Sequence, residues 1–358
     1  MTAAPTMAAR TLPPPDRHPT PILSFAHLRR LSDDTGLFEH ARNAVVRREH
    51  GYCTDDVSRG LLVVSREPDP TPELLRLAEC YLTFLNHAQH ADGSFHNRLN
   101  LGRQWTDEPS LGDWWGRALW GLGTAAAHST APWIREEALA AFRQGATRRS
   151  PFPRAMTFAG LGAAEVLRRH PRDDGAATLL ADAAEAVGAP HDWADWPWPQ
   201  DHLTYANAAL AEVTISAGYL GRDEAVLDRG LRMLSWLHDL QLVDGRLSMV
   251  AVAGLRRHGP RDRYDQQSIE VAALADACAT AARVTGDPAW NCGVQQAVAW
   301  FAGHNDQNTP MWDPATGGGY DGLIPQGANR NQGAESTLAL LSTLQHARNL
   351  ADTGRSPA

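Results

Sequence analysis

The sequence predicts an all-α protein, an (α/α)6 barrel built from six helical hairpins, and three observations carry that prediction. Helical periodicity runs through nearly the whole chain, whereas strand signals are scarce, Leu61–Ser65 being the best β-like run. Alternate helical segments differ in kind, one set amphipathic and the other apolar and small almost all round. The loops leading from the first kind to the second share a weak Asp-Gly repeat, at Asp92-Gly93, Asp244-Gly245 and Asp321-Gly322. A helix without a solvated face must be buried on every side, and small residues let its neighbours approach closely. A hairpin repeated about six times and closed on itself meets both demands.

Taken in order, residues 1–30 are Pro-rich, lack the apolar run of a signal peptide, and read as a disordered arm. Residues 31–358 read as a single barrel domain. Helices are expected near 37–48, 54–65, 71–89, 113–128, 132–147, 153–170, 174–187, 203–219, 222–240, 266–285, 288–303 and 332–350. Pro70, Pro132, Pro171 and Gly221 punctuate their ends. Segments 71–89 and 222–240 carry one charged face. Segments 113–128 and 153–170 do not, and their WGLGTAAA and AGLGAAEV stretches repeat one another. Gly121-Leu122-Gly123 and Gly160-Leu161-Gly162 have no strand before them, so they read as packing glycines rather than a dinucleotide loop.

Composition excludes several chemistries. A net charge of −8 and a pI near 6.0 give no basic footprint for nucleic acid. Every basic residue other than His is Arg; with no Lys in the chain, Walker A, Schiff-base and pyridoxal-phosphate lysines are all ruled out. Cys53, Cys80, Cys278 and Cys292 form no CxxC, which suits a reducing, cytoplasmic setting and shows no zinc pattern. His87-x-x-His90, with His96 nearby, reads as an exposed helix end, so neither metal nor cofactor is expected. No apolar run reaches membrane-spanning length. There is neither a GxSxG motif nor a strand–helix alternation for a nucleotide-sugar fold.

The loops that open the apolar helices carry acids, amides and aromatic rings where ordinary caps would suffice. The densest runs from Asp92 to Gly123, with Trp105, Asp107, Glu108, Asp113 and Arg117. Others hold Asp56 and Arg59; Trp196, Trp198, Gln200, Tyr205 and Asn207; Asp265, Gln266 and Gln267; and Asn331, Gln332 and Glu335. Flat rings cover the C–H face of a sugar, while carboxylates accept from its hydroxyls or move protons. A carbohydrate-sized cleft follows. The leading reading is a glycoside hydrolase, with Asp113 or Glu108 working with Asp265 or Glu335, at about 5–5.5 Å for retention or about 6.5–9.5 Å for inversion. Asp56, Arg59, Arg117, Gln266, Gln267, Asn331 and Gln332 would hold hydroxyls, and Trp105, Trp196 and Trp198 would stack. Two other readings stay open. One is a sugar epimerase or isomerase using His96 or His202; the other is a glycan-binding partner of a separate glycosyltransferase.

The stretches GYCTDD, DGSFHN, WTDEPSLGDWWGRALWGLG, LTYANAAL, YDQQSIEVAALADAC and YDGLIPQGANRNQGAESTLAL resemble a bacterial family of six-hairpin glycosidase-like proteins. Its members often occur fused to glycosyltransferases or encoded beside them. The resemblance runs from about Gly51 to the last helix and implies an (α/α)6 barrel and a sugar-related role. His96, Asn97, Asp107 and Asp321 are further candidate substrate-binding residues. Many relatives have a Glu where Gln200 stands, an Asp where Ala206 stands and an acid where Gly112 stands.

Overall fold

The alternation of charged and small-residue segments becomes an alternation of half-buried and fully buried helices. In the computed structural model, which describes residues 19–353, the helices are α1 (Ala26–Leu31), α2 (Thr54–Ser65), α3 (Pro72–Ala88), α4 (Asp113–His128), α5 (Pro132–Gly145), α6 (Pro153–Arg169), α7 (Asp174–Val187), α8 (Asn207–Gly221), α9 (Glu224–Gln241), α10 (Ser268–Thr285), α11 (Asn291–Ala302) and α12 (Ala334–Thr353). No strand among the described residues exceeds three residues. None of their helices is long and apolar enough to cross a membrane.

Two expectations are corrected. The segment 37–48 is not helical: Ala41–Arg42 pairs with Val45–Val46 as a short hairpin, turned by Asn43 at φ 49°. The adjacent β-branched valines and an Asn suited to the left-handed region favour that turn over a helix. Conversely, α1 lies within the stretch expected to be disordered, its Leu28 and Leu31 completely buried one helical turn apart. Residues 1–18 of that arm lie outside the described residues.

The described residues form two compact units. The N-terminal unit holds residues 28–188 and 220–223; the C-terminal unit holds 189–219, the residues from 224 on, and those up to His27.

In the N-terminal unit α4 packs against both α2 and α6, and the packing glycines read from the sequence lie at the crossings. A β-carbon on Gly162 would lie 2.2 Å from the Leu119 carbonyl oxygen, and one on Gly123 would lie 2.3 Å from that of Gly162. Gly116 and Gly121 face the Ala155 and Ser58 carbonyls at 2.2 and 2.5 Å in the same sense. The amphipathic α3, α5 and α7 flank α2, α4 and α6. In the C-terminal unit α10 packs on α11 and α12, and α8 meets α9 where Gly218 faces the Leu227 backbone. Thr280 on α10 donates to Glu212 on α8 at 2.8 Å, and Ser342 on α12 donates to Asp276 on α10 at 3.0 Å.

Helix starts also differ, although the amphipathic α5, preceded by Ala131, has no side-chain cap. Among the amphipathic ones, α3 is capped by Thr71 and α7 by Asp173, whose side chains accept from Leu74 and Ala176 amides. The residues preceding α2, α4, α6 and α10 make no such bond. Helix-opening amides are instead met by residues distant in sequence: Thr54 donates to the Asn97 carbonyl, Asn207 to Glu270 on α10, and Gly333 to Asp321.

Because the obstacle at Gly162 is backbone, it cannot swing aside. Gly162→Ala is expected to lower unfolding free energy by about 2–3 kcal/mol in urea titrations. Gly175→Ala on α7, where an added β-carbon meets only Asp173 Oδ1 at 3.4 Å, should change it by no more than about 0.5 kcal/mol.

Candidate active site

The N-terminal unit holds the first group of sequence-predicted residues, and its framework is the loop between α3 and α4. Arg98–Leu99 pairs with Tyr52–Cys53. Thr54, opening α2, donates through its amide to Asn97 O at 2.9 Å and through its hydroxyl to His96 O at 2.7 Å. Trp114, in the first turn of α4, donates to Phe95 O at 2.8 Å. Residues 95–99 are thus strapped to the starts of both helices. Asp107 closes the loop on itself: its carboxylate accepts from the Asn97 amide at 2.7 Å and the Arg98 amide at 3.0 Å.

That loop fixes His96. Its Nδ1 lies 2.7 Å from the Asp107 carbonyl oxygen, which can only accept, so Nδ1 carries the proton. The ring lies flat on Trp105, centroids 4.9 Å apart and planes 9° apart. In the neutral ring the Nε2 lone pair is therefore available, and Nε2 has no hydrogen-bond partner among the described residues. Trp105 also meets Phe84 and His87 at 5.5 and 5.1 Å, so one of its faces is already covered by His96.

Beside this loop the first turns of α2 and α4 bring together Asp55, Asp56, Arg59 and Arg117. Arg59 pairs with Asp55 and, at 3.1 Å, with Asp56, while Arg117 lies 3.8 Å from Asp55. The Arg117 guanidinium sits 3.6 Å over the Phe158 ring, a cation–π contact that fixes its plane. Burial alone would raise the Asp55 carboxyl, but Arg59 and Arg117 outweigh it and hold it below its ordinary value. Glu108 is exposed, and Asp113 is half-buried as the first residue of α4. A β-carbon at Gly112 would lie 2.5 Å from the Trp114 ring.

Glu39, Cys53 and Asp56 present ligand-type atoms within 4.8 Å of one another. Glu39 pairs with Arg98 and Asp56 with Arg59. Burial, then the Asp56 and Asp55 charges, push the Cys53 thiol well above its usual pKa, and it donates to Asn97 Oδ1 at 3.3 Å. The group is charge-compensated packing rather than a ligand set.

In the C-terminal unit the expected aromatic platform is redistributed. Trp196 and Trp198 are 4% and 0% exposed and pack on Trp236, so neither offers a face to a ligand. Trp193 is stacked on His191 at 4.0 Å and lies under the Arg257 guanidinium at 4.2 Å. Tyr205, 42% exposed, is the accessible ring of this segment. Gln200 is half-buried, its carbonyl accepting from Trp196 at 2.6 Å. His202 places Nδ1 2.7 Å from Asp201 Oδ1, and the hydrogen bond from His202 lowers the Asp201 carboxyl.

Several predicted amides are spent inside the protein. Gln266 is completely buried: Oε1 accepts from Met249 N and Trp300 Nε1, and Nε2 donates to Arg263 O and Asp306. Asn207 is also completely buried, bonded to Thr204 and Glu270. Gln332, 2% exposed, joins Thr316 and Asp313. Asp321 accepts from Gly333 N and Ser336 Oγ, both at 2.9 Å, and so caps α12. Asp265 is exposed, and Gln267, Asn331 and Glu335 are half-buried.

Three residues that sequence reasoning did not select hold these groups. Asp55 stood in plain view in TDD. Glu270 follows the Gln-Gln pair by one helical turn. Asp306, in a loop with no motif, accepts from Ser248, Gln266, Arg246 and Arg263 at 2.6, 2.8, 3.1 and 3.2 Å.

No family model matches the sequence, and no curated protein matches it. Solved structures do. A sugar epimerase from a ruminal bacterium is 12% identical with TM-score 0.68, over 91% of this chain and 97% of that one. Cellobiose 2-epimerase from Spirochaeta thermophila is 14% identical with TM-score 0.65, over 92% and 94%. A GH76 α-mannanase from Bacteroides thetaiotaomicron is 10% identical with TM-score 0.62, over 92% and 95%. At these identities the likeness is one of fold: the chain has an all-α (α/α)6 barrel fold.

Burial alone would raise the Asp306 carboxyl, but its hydrogen bonds to Ser248, Gln266, Arg246 and Arg263 outweigh this and hold it below 3.8. A depressed folded-state pKa contributes stability above the unfolded value, and that contribution fades as pH falls through the folded one. Asp306→Asn should cost about 2–3 kcal/mol at pH 7, because two arginines lose their acceptor. The gap to the parent in urea titrations should be flat from about pH 5 to 8 and shrink below about pH 4.

Proposed function

We propose that the protein is a carbohydrate-active enzyme that moves a proton on a sugar, in the manner of an epimerase or isomerase, with His96 as the base. The observation that carries this reading is the fixed tautomer of His96, with Nδ1–H committed to the Asp107 carbonyl and Nε2 available. The fold likeness to sugar epimerases over most of both chains supports the substrate class. Nε2 takes the proton from the carbon next to the carbonyl of an open-chain sugar. The C–H electron pair moves into the carbon framework and the carbonyl oxygen takes the charge, giving an enediolate. Return of a proton to the other face of that carbon, with collapse of the enediolate to the original carbonyl, epimerises it; return to the former carbonyl carbon, with the neighbouring hydroxyl proton passing to the first oxygen and the carbonyl re-forming at the second, isomerises the sugar. Arg59 and Arg117, oriented by Asp55 and Asp56, hold sugar hydroxyls beside this loop. Trp105 supports the His96 ring, and His202, oriented by Asp201, is a second candidate base.

A glycoside hydrolase is the second reading, supported by the likeness to a mannanase and by the acids that open α4 and α12. Its candidate acids are Asp113 and Glu108 in the N-terminal unit and Asp265 and Glu335 in the C-terminal unit. The Gln200 and Ala206 positions, where relatives of the resembled family carry acids, support a third: a glycan-binding partner of a glycosyltransferase. The substrate in each case is a sugar or oligosaccharide.

Incubation of purified protein with glucose-, mannose- and galactose-containing sugars in D2O, followed by NMR, separates the three. Epimerase or isomerase chemistry puts deuterium on the carbon next to the carbonyl, and His96→Gln should slow it by roughly 100-fold or more. Release of a new reducing end without such exchange, lost in Asp113→Asn or Glu335→Gln, would replace it with hydrolysis. Saturable binding without product would leave the partner reading.

A further inference from the structure

Gln266, Asn207 and Gln332 are committed to the protein itself, but Gln267 is not. Its side chain makes no hydrogen bond among the described residues, and it precedes α10 without capping it. Gln267 lies in a three-stranded antiparallel sheet ahead of α10 and α12: Gln266–Gln267 pairs with Gly322–Ile324, and that strand pairs with Gly327–Asn329. Residues directly opposite one another in such a sheet share a face. One row, Gln266, Leu323 and Ala328, turns to the core, with Gln266 and Leu323 completely buried. The next row, Gln267, Gly322 and Asn329, lies on the other face. Asn329 Oδ1 accepts from the Asn331 amide at 3.3 Å, and its Nδ2 has no partner among the described residues. Between the two amides stands a glycine. Gly322 is buried, yet a β-carbon there would meet, beyond its chain neighbours, only the Gln266 carbonyl oxygen at 3.2 Å, with no other heavy atom within 4 Å. Its φ is not positive, and the contact is looser than the 2.2–2.5 Å that demands glycine where the helices cross. What the glycine leaves is a recess, with Gln267 and Asn329 about two strand spacings (~10 Å) apart on either side of it.

We propose that this row is a sugar subsite of the C-terminal unit: Gln267 and Asn329 grip the hydroxyls of one sugar ring, whose edge enters the recess over Gly322. A primary amide offers both a donor and an acceptor, as a hydroxyl does, but gives a phosphate or carboxylate no counter-charge. The inference rests on the carbohydrate reading above and adds where in this unit, and by which groups, a sugar is received. Gly322 and Asn329 have no part in any of the three chemistries.

The test is a set of dissociation constants for glucose, mannose and cellobiose, measured on the full chain by ligand-observed NMR well below each variant's unfolding temperature. Gln267→Ala and Asn329→Ala should each weaken the best-bound sugar by about three- to tenfold, the worth of a hydrogen bond. Gly322→Ala, whose methyl group fills the recess, should weaken it by about tenfold or more. Gln326→Ala removes an exposed amide at the turn between the second and third strands, outside the row, and should change the constant by less than about twofold. Gln267→Ala breaks no side-chain bond within the protein, so its result stands whether or not Gly322→Ala folds. Parent-like affinity in any of the three row variants would overturn the proposal, as would an equal loss in Gln326→Ala. Should the parent bind none of these sugars, the carbohydrate reading fails and takes this inference with it. Binding by the parent with indifferent row variants would remove the inference alone.

Discussion

The contact on which the rest of the N-terminal unit depends is backbone against backbone where α4 crosses its neighbours. Four glycines bring helix surfaces so close that an added β-carbon would sit 2.2–2.5 Å from a carbonyl oxygen. At that spacing no side chain separates the helices, and the small residues of 113–128 and 153–170 follow from the need to fill what little space remains. Helix position is thereby set to within a fraction of an ångström. The starts of α2 and α4, and the loop strapped between them, inherit that precision. A proton-transfer group on a loop is useful only if its support is rigid; here the support is a pair of helices that cannot slide.

Electrostatics reinforces the arrangement at the helix starts. Each helix leaves its first amides without partners, and the buried helices rely on distant acceptors to meet them. Those acceptors are a carbonyl at Asn97 and carboxylates at Glu270 and Asp321. Negative charge at a helix N-terminus is favourable, so the same bonds that satisfy the backbone also draw loops onto the helix starts. Acids that look catalytic in a one-dimensional reading are thereby partly explained as anchors: Asp107 and Asp321 tie loops, and Asp306 gathers four donors.

The fold was legible because its physics is periodic. Helix after helix shows either one charged face or none, and the paired GLG motifs mark close crossings, with Gly121, Gly123 and Gly162 against carbonyl oxygens. The two misread segments are those without period: Ala41–Val46 is too short and too β-branched to continue a helix, and α1 is a six-residue piece with a single Leu pair. The site was less legible. Residue type announces hydrogen-bonding capacity but not whether that capacity is already used, and Gln266, Asn207 and Gln332 are used. Trp196 and Trp198 carry the side chain suited to a sugar, yet lie in the core on Trp236, a residue forty positions away. Asp306 could not be found at all, since what singles it out is convergence of four donors from separate segments.

The most direct measurement is a crystal structure of the protein with cellobiose or mannobiose bound. The proposed chemistry requires sugar density with a carbon or hydroxyl within hydrogen-bonding reach of His96 Nε2 and the ring of the loop intact beneath it. A sugar seated away from His96, or His96 Nε2 turned to bond a protein group, would contradict it.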